Sequence, residues 1–279
     1  MGNLVRIPHS ELNATLEKLD QFGVAPEHFT QMRSDDGFAE RVAQSILRGG
    51  EGPSLEYRVA RKAMGRNFFG FFGLEDWVKF FKIVFAEEKP AMINEFPWGE
   101  DVLNAPCPFV KGKRIRQTHF AFWGVSALNG VPLTVPRWHI LEKYFSYLEE
   151  DCLVPFIQND TCEMRWYLMP LHPIPGSEKK TYRQQIKMLP LEYEMPKVVE
   201  AVTLSILYHL KNRYDYCYNP YNPVRGRCTD VLVGGDCIEV GTDENGKLTV
   251  INRPGSLGYS LSGLAASRKL PKDFSEKSS

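Results

Sequence analysis

From Asn212 to Ile238, and again from Leu248 to Arg268, the chain contains no Lys, Glu, Gln, Met or Trp. The longest upstream stretch lacking all five runs only from Gly124 to Arg137. Four of the five are among the better helix formers, so their absence leaves residues suited to strands and turns. The last quarter is therefore expected to be a series of short strands: Asp230–Val233, Asp236–Val240, a hairpin about Asn245-Gly246, Lys247–Val250 and Gly263–Arg268. Leu270–Ser279 is polar and charged and reads as a frayed tail, with the break placed at residues 271–279.

The remainder alternates in character. Residues 1–100 read as a helical N-terminal region. Ser34, Asp35 and Asp36 offer caps before Phe38, Val42 and Ile46, and Gly49-Gly50 stops that run. A second helix follows Gly73, with Leu74, Trp77, Val78 and Phe81 on one side. The aromatic cluster Phe68, Phe69, Phe71, Phe72, Trp77, Phe80, Phe81 and Phe85 reads as core, because large aromatics contribute most when buried. The alternative is a docking surface. Pro97, Pro106 and Pro108 break any regular element, which places a boundary within Asn94–Pro108. Beyond it, Thr118–Val125 and Val131–Val135 read as strands of a hairpin about Asn129-Gly130. Trp138–Leu148 reads as helix, Met164–Met169 as a buried strand, and the residues behind Pro196 as a helix with a Val199, Val202, Ile206, Leu210 stripe. The fold class is α+β: a helical region followed by a mixed domain over 108–270.

The charge balance narrows the partner. Lys plus Arg equals Asp plus Glu at 34 each, so no net electrostatic footprint draws nucleic acid or an anionic membrane. Met1–Asp20 lacks the apolar core of a signal peptide and no apolar run reaches membrane-spanning length, so a cytoplasmic location is expected. The cysteines at 107, 152, 162, 217, 228 and 237 form no C-x-x-C pair and have no His at ligand spacing. No metal or cofactor is expected, and free thiols are.

Catalytic signatures are absent in the same way. Gly258-Tyr259-Ser260-Leu261-Ser262-Gly263 places its second glycine one residue late for a nucleophile elbow, and no phosphate-cradling glycine loop or paired-histidine metal motif occurs. His119 and His209 are the best placed of six scattered histidines. An enzyme using His119, His172 or His209 with a carboxylate brought close by folding is the rival reading.

Codons randomised at their first two positions and ending in a pyrimidine cannot encode the five missing residue types, and mutagenic reverse transcription leaves such tracts. The segment also runs through Gly246-Lys247-Leu248-Thr249-Val250, then twelve irregular residues Ile251–Ser262, to Gly263-Leu264-Ala265-Ala266-Ser267-Arg268-Lys269. This end of the chain resembles the variable region, here 248–269, of the C-type-lectin-like target proteins of diversity-generating retroelements. The resemblance implies a fixed strand at Leu248–Val250, a fixed closing strand at Gly263–Lys269 and a surface tract between them. More weakly, Thr181 through Lys211 is similar to the helix preceding that region in bacterial members.

What the resemblance implies for function is binding without catalysis, toward a protein or small ligand of unspecified identity. The contact residues would be Asn252, Arg253, Ser256, Leu257, Tyr259 and Ser260, with Tyr218 and Tyr221 from the earlier tract. Their mixture of forked donors, amphipathic rings, apolar area from Leu257 and Leu261, and small hydroxyls suits a recognition surface. Asn252-Arg253-Pro254-Gly255 reads equally as a turn.

Overall fold

The computed structural model describes residues 8–21, 26–35, 39, 42, 58, 60–62, 64, 70–82, 95–141, 145–148, 154–212 and 224–271. The chain divides into two compact units, Met1–Gly52 and Pro53–Ser279. The first carries the helices His9–Gln21 and Pro26–Ser34; the latter has Glu27 in its first turn and Arg33 in its last, matching the helix dipole. Most of the expected Phe38–Ile46 run lies outside the described residues, as do Phe68, Phe69, Phe85, Tyr218 and Tyr221.

The second unit is built on twelve described strands. In chain order they are β1 (Phe71–Phe72), β2 (His119–Trp123), β3 (Ala127–Leu128), β4 (Val131–Pro132), β5 (Phe145–Leu148) and β6 (Trp166–Pro170). There follow β7 (Tyr193–Glu194), β8 (Arg225–Val231), β9 (Asp236–Thr242), β10 (Leu248–Pro254), β11 (Ser262–Leu264) and β12 (Ser267–Arg268). One sheet has the order β1-β2-β6 and another the order β11-β8-β9-β10-β5; β12 pairs with β7 and β3 with β4. With helices and sheets interleaved, the unit is α+β.

The helix Val198–Asn212 lies between the two larger sheets, touching β1 and β2 on one side and β8 and β9 on the other. That position explains why Val198 to Leu207 are all buried, where the sequence predicts a single apolar stripe. Its first turn is closed by carboxylates: Lys197 N donates to Glu200 Oε2 at 2.9 Å and Val198 N to Asp230 Oδ2 at 2.6 Å. Burial raises both carboxyls above their ordinary values. Ser205 bonds back to Ala201 O, and Trp138 Nε1 donates to Thr203 Oγ1, so these two buried hydroxyls of the helix have partners.

Several sequence expectations need correction. The division falls at 52/53 rather than within 94–108, because Phe71, Phe72, Trp77, Phe96 and Trp98 share one core with β2, β6 and the central helix. Among the described residues of the aromatic stretch, Phe71, Phe72 and Trp77 are interior: Phe72 meets Trp77 edge-on at 5.3 Å and Trp77 Nε1 donates to Trp123 O at 2.8 Å, while Phe80 keeps an exposed edge. The helix over Leu74–Phe81 forms as expected, with Asp76 accepting from Gly73 N at its start.

Asn129-Gly130 does turn the chain, with φ of 50° and 80°, yet the hairpin it makes is only β3–β4. The longer strand predicted beside it, β2, pairs instead antiparallel with β6 and parallel with β1. The expected Trp138–Leu148 helix is a shorter helix, Val135–Leu141, followed by β5, because Phe145–Leu148 is captured by β10 as a parallel edge.

Two more corrections bear on the C-terminal tract. β10 continues to Pro254, so Ile251 is a buried strand residue and the irregular stretch begins only at Gly255. The closing strand is broken: Ser262–Leu264 runs parallel to β8, Ala265 N donates to Arg227 O, and Ser267–Arg268 then joins β7. Among the described residues no helix is long and apolar enough to cross a membrane.

Candidate functional site

The five-stranded sheet has two unlike faces, and strand alternation sorts the residues between them. Cys228, Ile238, Val240, Leu248 and Val250 form the face that joins the main core. The opposite face carries Arg225 and Arg227 from β8, Cys237, Glu239 and Gly241 from β9, and Thr249, Ile251 and Arg253 from β10. Cross-strand register sets Arg227 directly opposite Glu239, with Ile251 on Glu239's other side. Asn252 has the parity of Val250 and so points away from its neighbour Arg253; the two cannot serve one contact surface as an irregular loop would allow.

Arg227 is fully buried and Glu239 is 1% exposed. Arg227 Nε donates to Glu239 Oε1 at 3.0 Å, Nη1 to Lys180 O at 3.2 Å and to Gln185 Oε1 at 3.3 Å, and Nη2 to Leu257 O at 3.0 Å and Pro254 O at 3.5 Å. A planar fork can hold several acceptors in one plane, which a lysine could not. Burial raises the Glu239 carboxyl above its ordinary value, while hydrogen bonds from Ser262 and Arg227 favour the ionised form. Gln185 extends the network, its Nε2 donating to Ser177 O and Ser262 O at 2.9 Å each.

The segment 254–262 passes over this network and is tied along its length by main chain. Gly255 N donates to Gly235 O at 3.1 Å, and Gly255 O accepts from Tyr182 N at 2.9 Å. Tyr259 O accepts from Lys179 N at 2.9 Å, and Leu261 O accepts from Arg225 N at 2.7 Å. Gly258 lies so close to Lys179 that a Cβ would collide with that residue's carbonyl. Three segments thus meet here: 178–185, the β8–β9 turn at Gly234-Gly235, and 254–262.

The side chains of the tract face outward. Arg253, Ser256, Leu257, Ser260 and Leu261 are exposed and Tyr259 is half-buried, with the Arg253 guanidinium 5.8 Å from the Tyr259 ring centroid. Leu257 is 52% exposed, and Val233 on the adjoining turn is fully exposed. The Arg227, Glu239 and Gln185 network and Val233 are absent from the contact residues singled out in sequence, whereas Leu261 stands there beside Leu257 as apolar contact area. No local signal marks the pair: Arg227 stands seven residues before Gly234 and Glu239 four after Gly235, and a bulge between Arg227 and Val231 takes up the difference.

His119 is held by neutral partners. His119 Nδ1 lies 2.9 Å from Thr118 Oγ1 and 3.2 Å from Ile115 O, and its Nε2 lies 3.0 Å from the Tyr193 hydroxyl. Burial lowers its pKa from 6.5 to about 3, so the ring is neutral and acts as a structural link between β2 and β7. His209 is buried on the central helix and His172 is exposed. Cys107, Cys162, Cys228 and Cys237 are buried free thiols, and burial raises the last three. Among the described residues no group of three or more His, Cys, Asp or Glu could hold a metal ion. Comparison of the chain with protein-family models, with curated proteins and with solved structures finds no match.

Proposed function

We propose that the protein is a non-enzymatic binding protein that recognises its ligand through the 253–261 tract of a C-type-lectin-like domain, and that a diversity-generating retroelement varies this tract. The observation that carries the reading is the division of labour within the segment. Its fold is held through carbonyl and amide groups, by Arg227 and by segments 178–185 and 235, while its side chains contribute little to that hold and lie at the surface. Main-chain anchoring is indifferent to side-chain identity, so residues 253, 256, 257, 259 and 260 can change while the backbone persists. Recognition is commonly placed on loops held by a rigid scaffold in this way. Tyr259 and Arg253 supply the ring and fork expected of binding hot spots, and Leu257 adds exposed apolar area. The restricted alphabet of 248–268 supports the same reading independently.

The test is to sequence the coding locus and its flanks from many cells of one population. The expected finding is an adjacent reverse transcriptase and a near-copy of the 248–269 coding segment, with substitutions confined to codons whose copy reads adenine. A uniform locus lacking both elements would overturn the diversification reading.

A further inference from the structure

We propose that the ligand is an acidic protein surface, met by a cationic rim on segment 178–185 beside the variable tract and by exposed apolar residues next to it. This names the partner class of the recognition surface and rests on that reading. Cross-strand register sets Val231 and Arg253 on either side of Cys237, on one face of the sheet. Gly255 lies over the Cys237 thiol, where a Cβ would be 2.8 Å from the sulfur, so Val231 and Arg253 reach solvent at the two ends of a covered row. Val233 stands on the turn whose Gly235 O holds Gly255 N, and Leu257 and Leu261 follow along the tract. Of the thirteen large apolar residues exposed among the described residues, Val231, Val233, Leu257 and Leu261 gather here, which gives the surface an apolar centre. Segment 178–185 runs alongside: Lys179 N donates to Tyr259 O and Tyr182 N to Gly255 O, which brings Lys179 and Arg183 to the edge of the tract.

Lys179, Arg183 and Arg253 are exposed, whereas the carboxylates of the same segments, Glu178 and Asp236, are half-buried, as is Lys180. Residues 178–185, 231–236 and 253–261 together hold four cations and two anions, an excess of two in a chain whose charges balance at 34 each. None of the three exposed cations forms an ion pair among the described residues, unlike Arg165, Lys197, Lys211 and Arg227. Lys179 also takes a left-handed φ of 59°, a bend that glycine makes at less cost, so a charged side chain stands there against the backbone's preference. An apolar centre rimmed by unpaired cations has the anatomy of a protein interface. The sign of the rim favours a partner rich in Asp and Glu and repels basic ones. Nucleic acid fits less well, since the exposed apolar groups are aliphatic rather than flat stacking rings. The three exposed cations also fall short of the roughly four to eight of an anionic-membrane patch. Because 178–185 lies outside 248–269, the rim sets the acidic class for every variant of the tract, and the tract selects among acidic surfaces.

The experiment selects binders to the full chain from a random peptide display library and measures the enriched peptides in solution by fluorescence anisotropy. The expected result is saturable binding by peptides with an excess of Asp and Glu around an apolar anchor, weakened by added salt. Arg183→Glu should weaken it about 10-fold, as should Lys179→Gly, which keeps the bend and removes the charge, and Leu257→Ser. Lys79→Glu, exposed on the helix beside β1 and across the central helix from this surface, should leave binding unchanged. A selection that yields no saturable binder, enriched peptides without acidic excess, or binding unaltered in both rim variants would overturn the proposal. Tighter saturable binding of single-stranded DNA or of phosphatidylserine vesicles would overturn it too. A uniform coding locus with acidic peptides held at the rim would remove diversification and leave the partner class; a diversified locus whose protein enriches no acidic peptide would do the reverse.

Discussion

The two faces of the β11-β8-β9-β10-β5 sheet are held by different physics. The face toward the Val198–Asn212 helix is a dry apolar layer of Ile238, Val240, Leu248 and Val250. The other is organised by one buried ion pair whose remaining donors grip carbonyl groups. Apolar packing depends on the shape of every side chain in the layer and tolerates little change. A guanidinium gripping backbone carbonyls depends on the shape of one side chain and leaves those above it free. The contrast is between a face that specifies the fold and one that can present a changeable surface.

The sharpest way to break that contrast is to remove its pivot. Arg227→Ala leaves Glu239 buried and uncompensated, and is expected to cost about 3–5 kcal/mol in chemical denaturation. Ile238→Ala, on the apolar face, should cost about 2–5 kcal/mol. The two differ in what they loosen: amide exchange should quicken across 254–262 in the first variant and spare that segment in the second. Combining Arg227→Met with Glu239→Leu should restore stability to near the starting value, since apolar replacement of a buried pair is often neutral or better. The segment should remain loose, because its carbonyl anchors are gone. Unchanged exchange in the double variant would mean that Arg227 does not hold the tract.

A smaller effect is expected from Gly258→Ala, where the added methyl meets the Lys179 carbonyl. Overpacking of this kind costs about 1–3 kcal/mol, and the thermal midpoint should fall while Ser256→Ala, two residues away and exposed, leaves it in place.

The buried titratable groups on the two sides of the central helix respond to pH with opposite sign. His119, beside β2, has a folded pKa of about 3, below its usual 6.5. Its contribution is present above 6.5 and is lost as pH falls toward about 3, with a slope of up to about 1.4 kcal/mol per pH unit. Glu239 is raised, so its contribution is full below the ordinary carboxylate value and is lost as pH rises through its folded value. Stability measured against pH should therefore flatten at the acid end in His119→Gln, and lose its decline above the ordinary carboxylate range in Glu239→Gln. An acid limb unaltered by His119→Gln would contradict the assignment.

What could be read from the sequence divides along the same line. The α+β class, the Leu74–Phe81 helix, the helix behind Pro196 and the β9–β10 hairpin at Asn245-Gly246 were legible, because apolar periodicity and turn residues act locally. The strand at Phe145–Leu148 was not, since only its capture by β10, a hundred residues away, decides against helix. Ile251–Pro254 read as irregular because Asn252-Arg253-Pro254-Gly255 carries turn chemistry, yet seven residues of register with β9 extend the strand through it. Within the site, Arg253, Leu257 and Ser260 were named through the family resemblance, and they lie at the surface. Arg227 and Gln185 could not be named, because a buried polar residue shows no sequence signature until its partners are in space.

The most direct measurement is the thermal midpoint of a library randomised together at Arg253, Ser256, Leu257 and Ser260. If side chains above the network are free to vary, each change should stay within about 0.5 kcal/mol, and most members should melt within a few degrees of the parent with 254–262 still protected from exchange. A library whose members mostly melt as low as Arg227→Ala would show that these side chains hold the fold, and would contradict the account.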